Sequence, residues 1–157
     1  SRLLRREPPP LNCVNSKRGK QMSVQPEHQA LIYVMVLMSA ADSDMTDKEL
    51  FTIGEIVKTL PVFGDLDIEK LPETVEHCAT LLSDENGQDE VLGFVSDKLP
   101  ARLHETAYAL ACDIAAVGGR LRTEEIRLLE YLRHKLEIGR LPAAAIERGA
   151  KARYQTI

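Results

Sequence analysis

One short pattern occurs twice in the sequence, at an offset of 76 residues. Residues 38–50 and 114–126 both lead from an apolar stretch that ends in small residues, through a short polar turn, to an acid-rich helix start. The acids at the matching position are Glu49 and Glu125. A helix–turn–helix unit cannot bury its apolar face alone, so two copies are expected to pack against each other. The pattern therefore predicts two pseudo-symmetric helical halves.

Apolar residues recur at helical spacing along most of the chain, and no stretch keeps the period-two alternation of a half-buried strand. Residues 30–41 are apolar except for Ser39, which is typical of a central helix, and residues 101–117 have the same character. Leu50 and Ile126 fall on the apolar faces of the helices that follow. We predict an all-α fold of about seven helices. They are expected over residues 25–41, 47–59, 68–82, 85–98, 101–117, 123–137 and 142–153.

The beginning of the chain differs in composition from the rest. Residues 1–21 are polar, basic and proline-rich, and a run of prolines stands where a signal peptide would have its apolar core. We expect this segment to be a flexible tail, and residues 22–157 to form one helical domain. Met22 opens the compositionally different part and is a candidate native start. In that case the preceding residues would not belong to the native protein.

Charge is distributed unevenly along the chain. Net charge is +5 over residues 1–21, −12 over residues 22–99 and +3 over residues 100–157. The acidic middle can attract cations or a basic partner. Nucleic-acid binding is disfavoured, because the later basic residues alternate with Glu and only 4% of residues are aromatic.

The cysteines and the apolar runs indicate a cytoplasmic protein. Cys13, Cys78 and Cys112 are odd in number and form no CxxC pair, which is typical of reduced thiols. The longest apolar run, residues 30–41, is shorter than the roughly 20 residues of a membrane span. The sequence therefore predicts no membrane span.

The densest group of candidate ligands is the turn that contains Asp42, Asp44, Asp47 and Glu49. Carboxylates at alternate positions of a turn can converge on a hard cation such as Ca²⁺, Mg²⁺ or Mn²⁺. An EF-hand loop does not fit, because its sixth and twelfth positions lack the required Gly and Glu. Thr46 and Glu49 also form a capping-box pattern. Two interpretations stay open: a helix cap alone, or a cap with a weak cation site, in which Asp47 is the weakest ligand.

The second turn lacks these carboxylates. Gly118, Gly119 and Arg120 stand where the first turn has Asp42, Ser43 and Asp44. Glu125 remains as a weak counterpart of Glu49, and a helix start explains it fully. The glycine pair lacks a phosphate-loop pattern and predicts a helix C-cap.

No residue pattern marks a catalytic site, and we do not predict an enzyme. The four histidines show no metal-binding spacing. A small hydrolase or redox enzyme would require His77, Cys78 or Cys112 to be exposed in a pocket with a perturbed pKa.

The turns at residues 40–49 and 117–125 resemble those of the tellurite-resistance TerB-like family. That family has small residues, an Asp-Gly-type turn, a hydrophobic residue and an acid-containing helix start in each half, and the resemblance extends over residues 25–155. It implies an all-helical bacterial protein with an accessory role in tellurite resistance or related stress responses. It also implies metal binding through the acidic pattern, which is carried here by Asp42, Asp44, Glu49 and Glu125. A related domain at the N-terminus of some membrane-bound co-chaperones implies protein docking.

We therefore expect a non-enzymatic, TerB-like module that binds a divalent cation through the acidic turn, a protein partner, or both. The alternative is a pure protein–protein interaction domain. In that case the acidic surface of residues 22–99 docks a basic partner, and the acidic turns are only helix caps.

Overall fold

The computed structural model describes residues 24–41, 45–119 and 121–157. Over these ranges the chain forms seven α-helices and three short 3₁₀ helices, and it contains no strand. The helices are α1 (Pro26–Ser39), α2 (Asp47–Thr59), α3 (Leu71–Leu82), α4 (Gly87–Lys98), α5 (His104–Val117), α6 (Thr123–Lys135) and α7 (Arg140–Arg153). The predicted all-α class and number of helices are confirmed. The predicted tail and the candidate start at Met22 lie outside the described residues.

Two helices begin three residues later than the sequence predicts. The first residues of the third and fifth predicted helices form the 3₁₀ helices Ile68–Lys70 and Ala101–Leu103 instead. At the first of these, Pro72 has no N–H to bond to the carbonyl of Ile68, so an α-helical bond cannot form there. The chain winds more tightly until α3 begins.

The centre of the molecule is the contact between α1 and α5. Nine consecutive residues of α1, Ala30 to Met38, are at most 3% exposed, because α3, α4 and α5 also pack around this helix. Helix α5 packs against α1 on one side and against α2, α6 and α7 on others. The two runs that the sequence marks as central helices are therefore the core.

Two histidines at the same offset of 76 residues make similar contacts. His28 Nε2 lies 2.7 Å from the carbonyl oxygen of Val62, and His104 Nδ1 lies 2.9 Å from that of Leu136. Each ring thus binds the first long helix of its half to the segment that follows the second helix of that half.

The connections between these helices differ in length. The connection from α1 to α2 is two residues longer than the connection from α5 to α6. The pseudo-symmetry of the two halves stays a prediction.

Among the residues that the structure describes, none of the helices is both long and apolar enough to cross a bilayer.

Candidate functional site

A groove lies between α6 and α7, with α5 beneath it. Both outer helices pack against α5, and the space between them has a volume of about 590 Å³. The C-terminal residues Tyr154, Gln155 and Thr156 close one side. Sites that bind ligands commonly have volumes of roughly 300–1,000 Å³, so this groove is large enough for one.

The floor of the groove is made of small residues. Cys112, Ala115 and Ala116 of α5 line it, together with Gly119 in the turn that follows. Their spacing places them on one face of the helix. The groove therefore lets an occupant come close to the axis of α5.

The wall beside α6 is apolar and partly exposed. Leu121 and Ile126 line the groove and are 51% and 43% exposed. Leu129, which is buried, continues this wall, and Ala150 lies on the opposite side. Two large apolar side chains that are open to solvent beside a groove are typical of a surface that a partner covers.

Four charged side chains form the rim. Glu130 and Arg133 lie on α6, and Glu147 and Lys151 lie on α7. Spacings of three and four residues place each pair on one face of its helix. Among the described residues, neither Arg133 nor Lys151 has a carboxylate within the 4.0 Å of an ion pair.

Two polar contacts hold α7 against α5. The Tyr108 hydroxyl donates a hydrogen bond of 2.5 Å to Glu147 Oε1, and Arg153 Nη2 lies 2.5 Å from Asp113 Oδ1. Burial, and then the hydrogen bond to Glu147, raise the pKa of Tyr108 far above its usual value. The phenol therefore stays protonated and keeps its role as a donor.

The cysteines in the described part are free and buried, as predicted for reduced thiols. Burial raises the pKa of Cys112, in the groove floor, to about 12. Burial also raises the pKa of Cys78 to about 12, and its Sγ lies 3.9 Å from the carbonyl oxygen of Tyr33. A nucleophilic cysteine needs a lowered pKa, so these shifts oppose catalysis by either thiol. Cys13 lies outside the described residues.

The structure describes only part of the acidic turn. Asp42 and Asp44 lie outside the described residues. Asp47 is exposed at the first position of α2. Glu49 is 7% exposed and takes part in the predicted capping box: its N–H donates to Thr46 Oγ1 over 3.2 Å, and Thr46 N–H donates to Glu49 Oε2 over 3.3 Å.

Glu49 also faces the second turn. A Cβ atom at Gly118 would lie 3.9 Å from Glu49 Oε1, so the fold brings an acid of the first half beside the second turn. Glu125, at the third position of α6, is 7% exposed as well. Gly119 has a φ of 79°, and its N–H donates to the carbonyl of Ala116, which confirms the predicted C-cap.

The described side chains do not form a group that could bind a metal ion. Over residues 24–41, 45–119 and 121–157, no three His, Cys, Asp or Glu side chains are grouped closely enough to hold an ion. The described residues thus bring Glu49 and the second turn together, but leave the ligand set of the predicted site as a prediction.

Comparisons with family models, with curated proteins and with solved structures found no match for the chain. The resemblance to the TerB-like family therefore stays a prediction based on the two turns.

Proposed function

We propose that the chain is a non-catalytic binding module that docks a segment of a partner protein in the groove between α6 and α7. The observation that carries this function is the groove itself, which has a floor of small residues and the exposed side chains of Leu121 and Ile126 on its wall. Covering apolar surface stabilises a complex by roughly 25 cal/mol per Å² before the costs of association.

The wall that α7 forms is fixed in position before a partner binds. The Tyr108–Glu147 hydrogen bond and the Asp113–Arg153 ion pair both join α7 to α5. Because the wall is already positioned, less conformational entropy is lost when a partner binds.

Binding of the dye anilinonaphthalene sulfonate, which reports accessible apolar surface, tests this function. We expect the folded wild-type chain to bind the dye, and the double variant Leu121→Gln/Ile126→Gln to bind it about tenfold more weakly. The matched control is Leu141→Gln, because Leu141 is 82% exposed on α7 and does not line the groove. Circular dichroism confirms that all three proteins are folded. The proposal is wrong if the wild type does not bind the dye, or if the double variant binds it equally well.

A second function is favoured by the position of Glu49. We propose that the first turn binds Ca²⁺, Mg²⁺ or Mn²⁺ through Asp42, Asp44 and Glu49, with Asp47 as a weaker fourth ligand. Support comes from the buried carboxylate of Glu49, which lies at the end of this turn and faces Gly118. In this role the chain would be a cytoplasmic, TerB-like accessory module in tellurite resistance or a related stress response. Glu125 would be the second-half counterpart of Glu49.

Calorimetric titration with Ca²⁺, Mg²⁺, Mn²⁺ and Zn²⁺ tests the cation site. We expect Asp42→Asn/Asp44→Asn to abolish binding. A control with the same change of charge, Asp65→Asn/Asp84→Asn, removes two exposed acids elsewhere and should bind as the wild type does. The metal proposal fails if no ion binds below about millimolar concentration. It also fails if Asp42→Asn/Asp44→Asn leaves the affinity unchanged.

A further inference from the structure

The charges on the rim specify what kind of segment the groove accepts. We infer that the occupant is an amphipathic α-helix of a partner protein, with acidic residues on both edges of its apolar stripe. This inference rests on the proposed docking function and adds the conformation and the charge pattern of the ligand.

The surroundings of the groove favour a helix over an extended peptide. Most of the lining residues belong to α5, α6 and α7, whose backbone groups are already hydrogen-bonded, and the others, in the α5–α6 turn and the C-terminal segment, form no strand edge. An extended segment lying there would leave backbone N–H and C=O groups without partners, whereas a helix satisfies its own. The small residues of the floor, Cys112, Ala115, Ala116 and Gly119, also allow a helix to approach α5 closely.

The arrangement of α5, α6 and α7 leaves room for one more helix in the groove. Helix α5 forms the base, α6 and α7 form the sides, and the C-terminal residues 154–156 border the space between them. A helix in this position would complete a four-helix bundle, in which apolar faces meet at the centre. Its apolar residues would contact Leu121 and Ile126 on one side and Ala150 on the other.

The charged residues flank the apolar surface on both sides. In coiled coils, residues in such flanking positions pair with opposite charges on the partner and determine which partner binds. Arg133 lies on one wall and Lys151 on the other, and neither forms an ion pair within the described residues. The carboxylate of Glu147 already accepts the hydrogen bond from Tyr108. The two cations therefore favour acidic residues on both edges of the occupant, while Glu130 can accept one basic residue.

The net charge of the whole C-terminal part also favours an acidic occupant. Residues 100–157 carry a net charge of +3, whereas residues 22–99 carry −12. An acidic helix is therefore attracted to the half that contains the groove and repelled by the other half.

Selection from a displayed library of helical peptides tests this inference on the full chain. The library contains peptides of about 20 residues, long enough to form a helix once bound. We expect the wild type to enrich peptides with apolar residues at positions i, i+3, i+4 and i+7, and with Asp or Glu on both edges of that stripe. The charge-reversed variant Arg133→Glu/Lys151→Glu should enrich Lys and Arg at the same edges. The control Arg127→Glu/Lys135→Glu reverses two exposed charges of α6 that do not line the groove, and it should enrich the same peptides as the wild type.

An enriched peptide then allows a measurement of affinity. Binding to Arg133→Glu/Lys151→Glu should be about tenfold weaker than to the wild type, and lysine in place of the acidic residues of the peptide should restore it. Peptides that need Leu121 and Ile126 but show no helical spacing or charge preference would overturn the inference and leave docking in the groove intact. Peptides that bind Leu121→Gln/Ile126→Gln as tightly as the wild type would overturn the docking function itself.

Discussion

The Tyr108 hydroxyl and the Glu147 carboxylate meet at 2.5 Å, across 39 residues of chain. Tyr108 is 1% exposed on the central helix α5, while Glu147 stands on the exposed side of α7. A buried phenol thus reaches a surface carboxylate and joins the core to one wall of the groove. A hydrogen bond to a charged group is stronger than one between neutral groups, so this contact contributes to the stability of the fold.

Replacement of Tyr108 by phenylalanine removes this hydrogen bond and keeps the ring. We expect the free energy of unfolding to fall by about 1.5 kcal/mol, the lower limit for a charged partner, because Glu147 can bind water instead. Urea unfolding measures the change. Glu147→Gln keeps an acceptor for the hydroxyl and should cost less. Equal stability of Tyr108→Phe and the wild type would show that the contact contributes nothing.

Stability should decrease in alkaline solution, because the buried thiols resist ionisation. Burial raises the pKa of Cys78 and of Cys112 from 9.0 to about 12. Between these values the unfolded chain loses protons that the folded chain retains, so the free energy of unfolding falls as pH rises. The slope is about 1.4 kcal/mol per pH unit for each thiol. Urea unfolding from about pH 8 to about pH 11 measures it.

Replacement of Cys78 by alanine tests whether its thiol is a source of this pH dependence. Cys78→Ala also leaves a small cavity, which shifts stability at every pH, but only the loss of the ionisable group changes the slope. We expect a shallower decrease above about pH 9 in this variant. If its slope equals that of the wild type, ionisation of Cys78 is not coupled to unfolding.

Two glycines of α4 should respond to alanine in opposite ways. A Cβ atom at Gly87 would lie 1.9 Å from the carbonyl oxygen of Leu81, and backbone atoms there cannot move cheaply. Gly87→Ala should therefore lower the free energy of unfolding by about 3 kcal/mol or more. Gly93 has nothing within 4 Å of its Cβ position, so Gly93→Ala should raise it by up to about 1 kcal/mol. Thermal unfolding of both variants and of the wild type measures these changes in stability. A Gly87→Ala protein as stable as the wild type would contradict the close approach of the chain between α3 and α4.

The features that sequence analysis predicted correctly depend on neighbours along the chain. The apolar character of residues 30–38 identifies α1 as a core helix, because a helix buried on all sides needs apolar residues all round. The capping box of Thr46 and Glu49 requires only residues three apart, and it is present. The helix end at Gly118 and Gly119 follows from the ease with which glycine, here Gly119, adopts a positive φ.

The groove could not be predicted in the same way. Helical spacing places Leu50 and Ile126 on apolar faces, yet they are 41% and 43% exposed. Periodicity identifies a face of a helix, but whether another element covers that face depends on how distant helices pack. The same holds for Tyr108 and Glu147, which lie on different helices. Asp42 and Asp44 lie outside the described residues, so their role as ligands stays a prediction.

The two roles proposed for Glu49 can be separated through its neighbour Thr46. Thr46→Ala removes the oxygen that accepts from the Glu49 N–H, and we expect the free energy of unfolding to fall by about 1 kcal/mol. Thr52→Ala is the matched control, because Thr52 lies within the same helix, where alanine is favoured, and should not destabilise the protein. Cation binding needs the carboxylate and not the cap, so Thr46→Ala should bind Mn²⁺ as the wild type does, whereas Glu49→Gln should bind it weakly or not at all. Loss of Mn²⁺ binding in Thr46→Ala would instead show that the ion site depends on the geometry of the capping box. An unchanged free energy of unfolding in that variant would show that the capping box does not stabilise α2.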